Sequence, residues 1–518
     1  MNQPVKTSLI ATGVLAALLE ILDSSIVNVA VPDMTGNLGA TLDNIGWVLT
    51  GYIIANAIIL PIAPWLATRL GRRNYFTGAI VLFTLFSAAC GLAPNLGFLI
   101  LMRVLQGLAG GALLPTSQAL IQEAFPPEQA AKGSAVFGVC VIIGPMLGPT
   151  LGGYLTDYYG WRSIFFINLP LGMIATALAY RYVKNVPVPE ADRHAKMDTW
   201  GLVLLVLGLG GMQFVLERGQ QDEWFYSNAI KIGVILAVVC LPLLIYRQLT
   251  IREPILNLRL FSNKAFRSGM ILMLQLGFVL YSLIFFVPIF VTTVRGMSAT
   301  QSGMLFIPMG VASMVMMVVA GALMPKLDPR ILVFVGNLSL IATMWTMSHF
   351  STSTGAPDLF WPLVGMGVGI SFGFVPINTV VLAQFSGREM EQAAGLLNLF
   401  RQVGGSIGIA LVNTYLDRFQ KQAFIDLTSK VSPLSRATME QFAVDQGAMV
   451  SRLSNTTGFN TGVNGPAKLL LLRIQSEGFV IAYIKCMFVV LVIYSLSLGA
   501  TAFFKSEKKL SASVGMAA

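Results

Sequence analysis

Charge is what this sequence has least of. Only 11% of its 518 residues are Asp, Glu, Lys or Arg, against 55% hydrophobic ones, whereas water-soluble domains carry about 25% charged residues. That excludes a soluble globule. Cysteine and histidine are scarcer still, at four and two residues. Cys90, Cys140, Cys240 and Cys486 fall inside apolar stretches with no paired spacing, and His194 and His349 stand apart, so neither a disulfide framework nor a zinc site is indicated. The thiols read as packing residues. No G-x-x-x-x-G-K-[ST] loop occurs, which argues against ATP consumption. Gly404-Gly405-Ser406-Ile407-Gly408 matches the G-x-S-x-G nucleophile pattern, but inside an apolar helical run rather than at a strand-turn-helix elbow, so hydrolase chemistry has no support there.

What is abundant is apolar length. Runs of about 20 residues suit helices crossing a roughly 30 Å hydrocarbon layer, and fourteen are expected, near 8–31, 45–67, 76–93, 98–121, 134–155, 164–182, 200–216, 229–249, 268–292, 302–324, 331–349, 360–384, 392–415 and 479–504. The fold class is therefore an all-α polytopic membrane protein. Lys6 and Leu9–Leu19 imitate a signal peptide, but the run continues to the helix-breaking Pro32 with no cleavage site, so it reads as a retained first span.

The net charge of +10 reports topology rather than nucleic-acid binding. With both termini placed on one side, that side collects twenty basic residues, among them Lys6, Arg69, Arg72, Arg73, Arg193, Lys196, Arg252 and Lys505. The other, leaving out 416–478, has only Arg162, Arg218, Lys231 and Arg295. The positive-inside rule puts both termini in the cytoplasm.

The polar stretch 185–198 reads as a linker, dividing the chain into a six-span bundle at 1–184, a linker with two intervening spans at 185–266, and a second six-span bundle at 267–518. Glycine-rich spans five and thirteen are counterparts in that scheme, and such repeats place a substrate site between the halves. Segment 416–478 reads as a long polar extracytoplasmic excursion, either a solvated loop or a docking surface.

Five ionisable residues lie well inside spans: Glu20, Asp23, Arg103, Arg401 and Lys485. A spacing of three puts Glu20 and Asp23 on one helix face, where repulsion and desolvation both favour the protonated form. Asp23 is then a proton carrier, or else the permanent partner of an arginine. Glu20 could bind a cationic substrate, share the proton or face water. Arg103 and Gln106 share a face, and a buried guanidinium requires a carboxylate or carbonyls, for which the acids of span one are the candidates. Gly144-Pro145 and Gly148-Pro149 repeat four residues apart on one face of span five, allowing close helix contact and bending.

These residues resemble the major facilitator superfamily, and within it the fourteen-span drug:proton antiporters of the EmrB/QacA type, over nearly the whole chain. Leu22-Asp23-Ser24-Ser25-Ile26-Val27-Asn28-Val29-Ala30-Val31-Pro32 is similar to that group's first-span signature. Leu66 to Arg73, with Arg69, Gly71, Arg72 and Arg73, resembles the superfamily's loop motif after span two. Arg103 to Gly107 matches its fourth-span RxxQG motif, Gly144, Pro145, Gly148, Pro149, Gly152 and Gly153 match the antiporter motif, and Trp161 to Gly172 is typical of the fourteen-span group.

The resemblance implies two six-helix bundles plus two extra helices, and proton-driven export of hydrophobic or amphipathic compounds through the inner membrane, with no cofactor beyond the proton gradient. It implies protonation at Asp23, coupling through Arg103, closure of the cavity by the span-five motif, and a membrane-fusion protein and outer-membrane channel as partners of an EmrB-type loop. Asn28, Gln106 and Arg401 are the polar candidates for lining the cavity. Three departures stand out: Thr68 and Pro64 where the loop motif has aspartate and glycine, the additional Glu20, and Lys485 at the start of span fourteen where relatives often have an acid. Export of a specific metabolite, siderophore or lipid, a proton-coupled importer, and a non-transporting sensor or scaffold are the alternatives.

Overall fold

The computed structural model describes residues 3–185, 198–251, 254–430, 465–496, 498–502 and 504. Most of the linker, 186–197 with Arg193, His194 and Lys196, lies outside these residues, as do Arg252, 431–464 and the C-terminal lysines.

Among the described residues, thirteen helices are long and apolar enough to cross a membrane, and a bent pair, Asp43–Ile59 with Ala63–Leu70, supplies a fourteenth span with a 59° kink. Pro61 and Pro64 explain that kink, since neither can donate a backbone hydrogen bond. Span four is also interrupted, as Leu96–Gly110 and Leu113–Glu123. Asn95 caps its start by accepting from Phe98 N at 2.9 Å, and Asn263 caps span nine, Lys264–Arg295, in the same way.

Spans one to six pack chiefly among themselves, as do spans nine to fourteen, while seven and eight pair with each other and span seven touches spans two and thirteen. Glycine sets the closest approaches, because a backbone without Cβ lets helices touch. In span five, Ala130–Tyr159, a Cβ on Gly144, Gly148 or Gly152 would collide with Ile21, Ser25 or Ile26 of span one. In span thirteen, Gly387–Lys430, a Cβ on Gly404 or Gly408 would strike the backbone of span nine at Leu274 or Phe278. The two glycine-rich spans thus play equivalent packing roles. Span five turns its other side to the second group of helices, with Pro149 against Gly303 and Gly153 against Thr300. Span eight, Asn228–Thr250, lies at the periphery, with Ile235 and Val238 exposed as a lipid-facing surface requires.

Three helix limits depart furthest from the sequence expectation. Span one runs Gln3–Asn37, through Pro32. Pro32 is exposed, so the carbonyl that it leaves without a donor can be solvated, and the helix survives. The polar stretch from 416 to 430 is a continuation of span thirteen, and the last helix begins at Gly465 rather than near 479. The two pack together, Gly478 lying against Ala423 and Phe424, and the polar turn is braced by Lys421 on Asp417 at 2.7 Å, four residues apart on one face.

Candidate functional site

Asp23 lies in span one with no exposure, and spans four and six supply its partners. Its Oδ2 accepts from Arg103 Nη1 at 2.6 Å, and its Oδ1 accepts from Gln106 Nε2 at 2.9 Å and Asn168 Nδ2 at 2.7 Å. Arg103 is equally buried. It also donates to Gln106 Oε1 at 2.8 Å and to the Val48 carbonyl at 3.2 Å, and its guanidinium lies 4.1 Å from the centre of the Tyr52 ring. Asn168 is itself held by Ser87, which donates to the Phe165 carbonyl. Every polar atom of the Asp23 carboxylate is therefore engaged. A buried pair of this kind is stable only while both partners stay; removing one leaves a naked charge at a cost of about 3–5 kcal/mol.

Glu20 does not share that site. It turns toward Asn56, whose Nδ2 donates to Oε1 at 2.8 Å, and toward the backbone N–H of Leu114, which donates to Oε2 at 3.0 Å. Leu114 lies where span four restarts after its interruption, so Glu20 caps a helix end from a neighbouring helix, as an acid at an N-terminus does. The two acids, one turn apart, thus each have their own set of donors.

At the turn after span two, Arg72 is the residue that is buried and paired. It bonds Glu123 at 2.7 Å and also pairs with Glu391 of span thirteen, so one guanidinium joins both groups of helices. Arg69 instead lies over Trp65, and Arg73 over Tyr180. Thr68 donates to its own helix at Pro64 O, and the charge network is built from Arg72 and two glutamates without it. Gly71 adopts φ +80°, a conformation that favours glycine. Beside this junction a polar row crosses between the groups: Asn398 donates to Gln118 at 2.6 Å, Gln118 to Asn378 at 2.5 Å, and Thr379 to Ser134 at 2.9 Å.

The remaining sequence candidates are dispersed. Asn28 is exposed, one turn beyond Ser24. Arg401 is buried in span thirteen beside Asn398. Ser406 accepts from Gln213 at 2.5 Å and donates to Glu217 at 2.8 Å, with no histidine at hand among the described residues. Lys485 lies twenty residues into the last helix, exposed, at the edge of a cavity of about 470 Å³ lined by Trp345, His349, Phe419 and Phe488.

Besides Glu123, Glu391 and the row from Asn398 through Gln118 to Asn378, four participants are not singled out by the sequence. Asn168 was visible only as part of a motif, Tyr52 and Asn56 carry no scarcity signal, and Glu217 falls just past the expected end of span seven, which runs Thr199–Arg218.

A bundle of fourteen membrane-crossing helices in two groups, with a dry ion pair in one group and polar contacts between the two, defines a membrane transport protein. The chain belongs to the Major Facilitator Superfamily, whose model matches residues 13–409. It is 32% identical to the fatty acid resistance protein FarB of Neisseria gonorrhoeae, over 87% of this chain and 90% of that protein. It is 33% identical to the multidrug export protein EmrB of Escherichia coli (strain K12), over 84% of each, and 29% identical to the colistin resistance protein EmrB of Acinetobacter baumannii, over 83% of this chain and 84% of that one. Among solved structures, the proton:xylose symporter XylE superposes with a TM-score of 0.59 at 15% identity, covering 98% of this chain and 97% of that one. That likeness concerns the fold.

Proposed function

We propose that this protein is a proton-coupled multidrug efflux antiporter of the inner membrane, with both termini in the cytoplasm, exporting hydrophobic or amphipathic compounds by alternating access. The observation that carries this reading is the Asp23 centre: a carboxylate on span one that holds a fully buried arginine, next to the glycine face of span five. Protonation of Asp23 removes the charge that holds Arg103. The bonds from Gln106 and Asn168 then rearrange, and span one is free to shift against span five. Coupling follows because proton binding and helix packing act on the same few residues.

In this orientation Arg72, Glu391 and the Gln118–Asn378 row lie on the cytoplasmic side and hold the two groups of helices together there. Substrate release outward and the return step then require these contacts to form and break once per cycle. The names of the relatives, which cover multidrug export, colistin and fatty acid resistance, support a broad amphipathic substrate range. The long helical extension between spans thirteen and fourteen supports a membrane-fusion protein and an outer-membrane channel as partners. The test is transport in proteoliposomes under an imposed pH gradient. Wild-type protein should pump uphill, and an Asp23→Asn protein that pumped uphill at the normal rate would sink the assignment.

A further inference from the structure

Four arginines are buried among the described residues: Arg72, Arg103, Arg218 and Arg401. Three have carboxylates: Arg72 has Glu123 and Glu391, Arg103 has Asp23, and Arg218 has Asp222. Arg401, 5% exposed, has none within ion-pair distance among the described residues. Its Nη2 donates to Asn398 Oδ1 at 3.1 Å, and its Nε, fully buried, has no acceptor. A guanidinium carries five N–H donors and cannot shed its charge, and a buried charge without a partner is costly. Glu20 lies in electrostatic range across the junction, but its oxygens accept from Asn56 and the Leu114 N–H rather than from Arg401. Donor capacity is therefore left over at Arg401.

The location gives that surplus a use. Asn398 continues the polar row through Gln118 to Asn378 across the two groups of helices. One turn from Asn378, Phe374 stacks on Phe137 of the other group with ring centres 6.2 Å apart. A polar row with a guanidinium that lacks a carboxylate at one end and an aromatic pair at the other matches a molecule with one charged end and an apolar body. We infer that Arg401 holds the anionic head group, of carboxylate type, of an amphipathic substrate. Carboxylate suits the site because the planar guanidinium binds it through two parallel bonds. A cationic head would add to the uncompensated charge. This deepens the efflux reading and rests on it for the role of the bound molecule, though not for the binding itself.

The experiment is equilibrium binding of radiolabelled dodecanoate, its methyl ester and dodecyltrimethylammonium to the purified full chain in nanodiscs. Wild type should prefer dodecanoate to the ester by roughly tenfold or more, the scale of a hydrogen-bonded charge. Arg401→Gln should abolish that preference without weakening the ester, and Arg401→Lys should keep part of it. An equal affinity of wild type for acid and ester, an undiminished preference in Arg401→Gln, or equal loss of all three probes would each overturn the proposal. If Arg401→Gln does not fold, the wild-type comparison and Arg401→Lys decide. Dodecanoate binding without uphill transport would refute the antiport reading and leave this site standing. Uphill export of cations without dodecanoate binding would do the reverse.

Discussion

The Ser25 hydroxyl donates to the Gly144 carbonyl at 2.9 Å, two residues along span one from Asp23. Spans one and five are thus bonded directly, and Gly148 packs on the same serine. Gly148→Ala should force them apart, at a cost of about 1–3 kcal/mol for overpacking. A lowered melting temperature together with reduced efflux is expected. Ser25→Ala, which removes one hydrogen bond worth about 1 kcal/mol, should lower stability much less.

Charge balance at the centre is testable separately from transport. Asp23→Asn leaves Arg103 buried and unpaired, and a loss of about 3–5 kcal/mol is expected. Adding Arg103→Gln should restore much of that stability in denaturation measurements. Uphill transport should stay absent in the double variant, which separates coupling from folding.

Glu20 is predicted to matter first as a cap. Glu20→Ala leaves the Leu114 N–H and Asn56 without their acceptor and should cost about 1–3 kcal/mol for each buried group. Glu20→Gln retains one acceptor oxygen and should cost less. Thermal unfolding of the two purified variants checks the order.

Glu391→Gln removes one of the two carboxylates on Arg72 and the one supplied by the far group of helices. The contacts between the two groups of helices should open more often, so a cysteine introduced at Asn378, now buried, should react faster with a maleimide than in the otherwise unchanged protein. The four native cysteines are buried, which keeps the background low.

Scarcity made the centre of the site legible. Few charges lie in the spans, so the two acids of span one are the candidate partners of Arg103, of which Asp23 is the one that meets it, and the glycine spacing of span five announces close contacts. Glu123 and Glu391 sit at span ends, where charges are ordinary, so their meeting on Arg72 is a tertiary fact with no local signal. Asn168 is one amide among many. The extension from 416 to 430 read as loop because its composition is polar, yet a polar stretch that follows a long helix can stay helical when its own side chains pair, as Asp417 and Lys421 do.

Because Gly387–Lys430 is one uninterrupted helix, Glu391, Arg401 and the residues past 416 form a single lever. Lys430 ends that helix about 44 Å beyond Arg401 at 1.5 Å per residue, so a tilt of roughly 10° at the level of Arg401 would sweep the far end through about 8 Å. Whatever sits against that end is exposed mechanically to each rearrangement of the helix that carries Arg401.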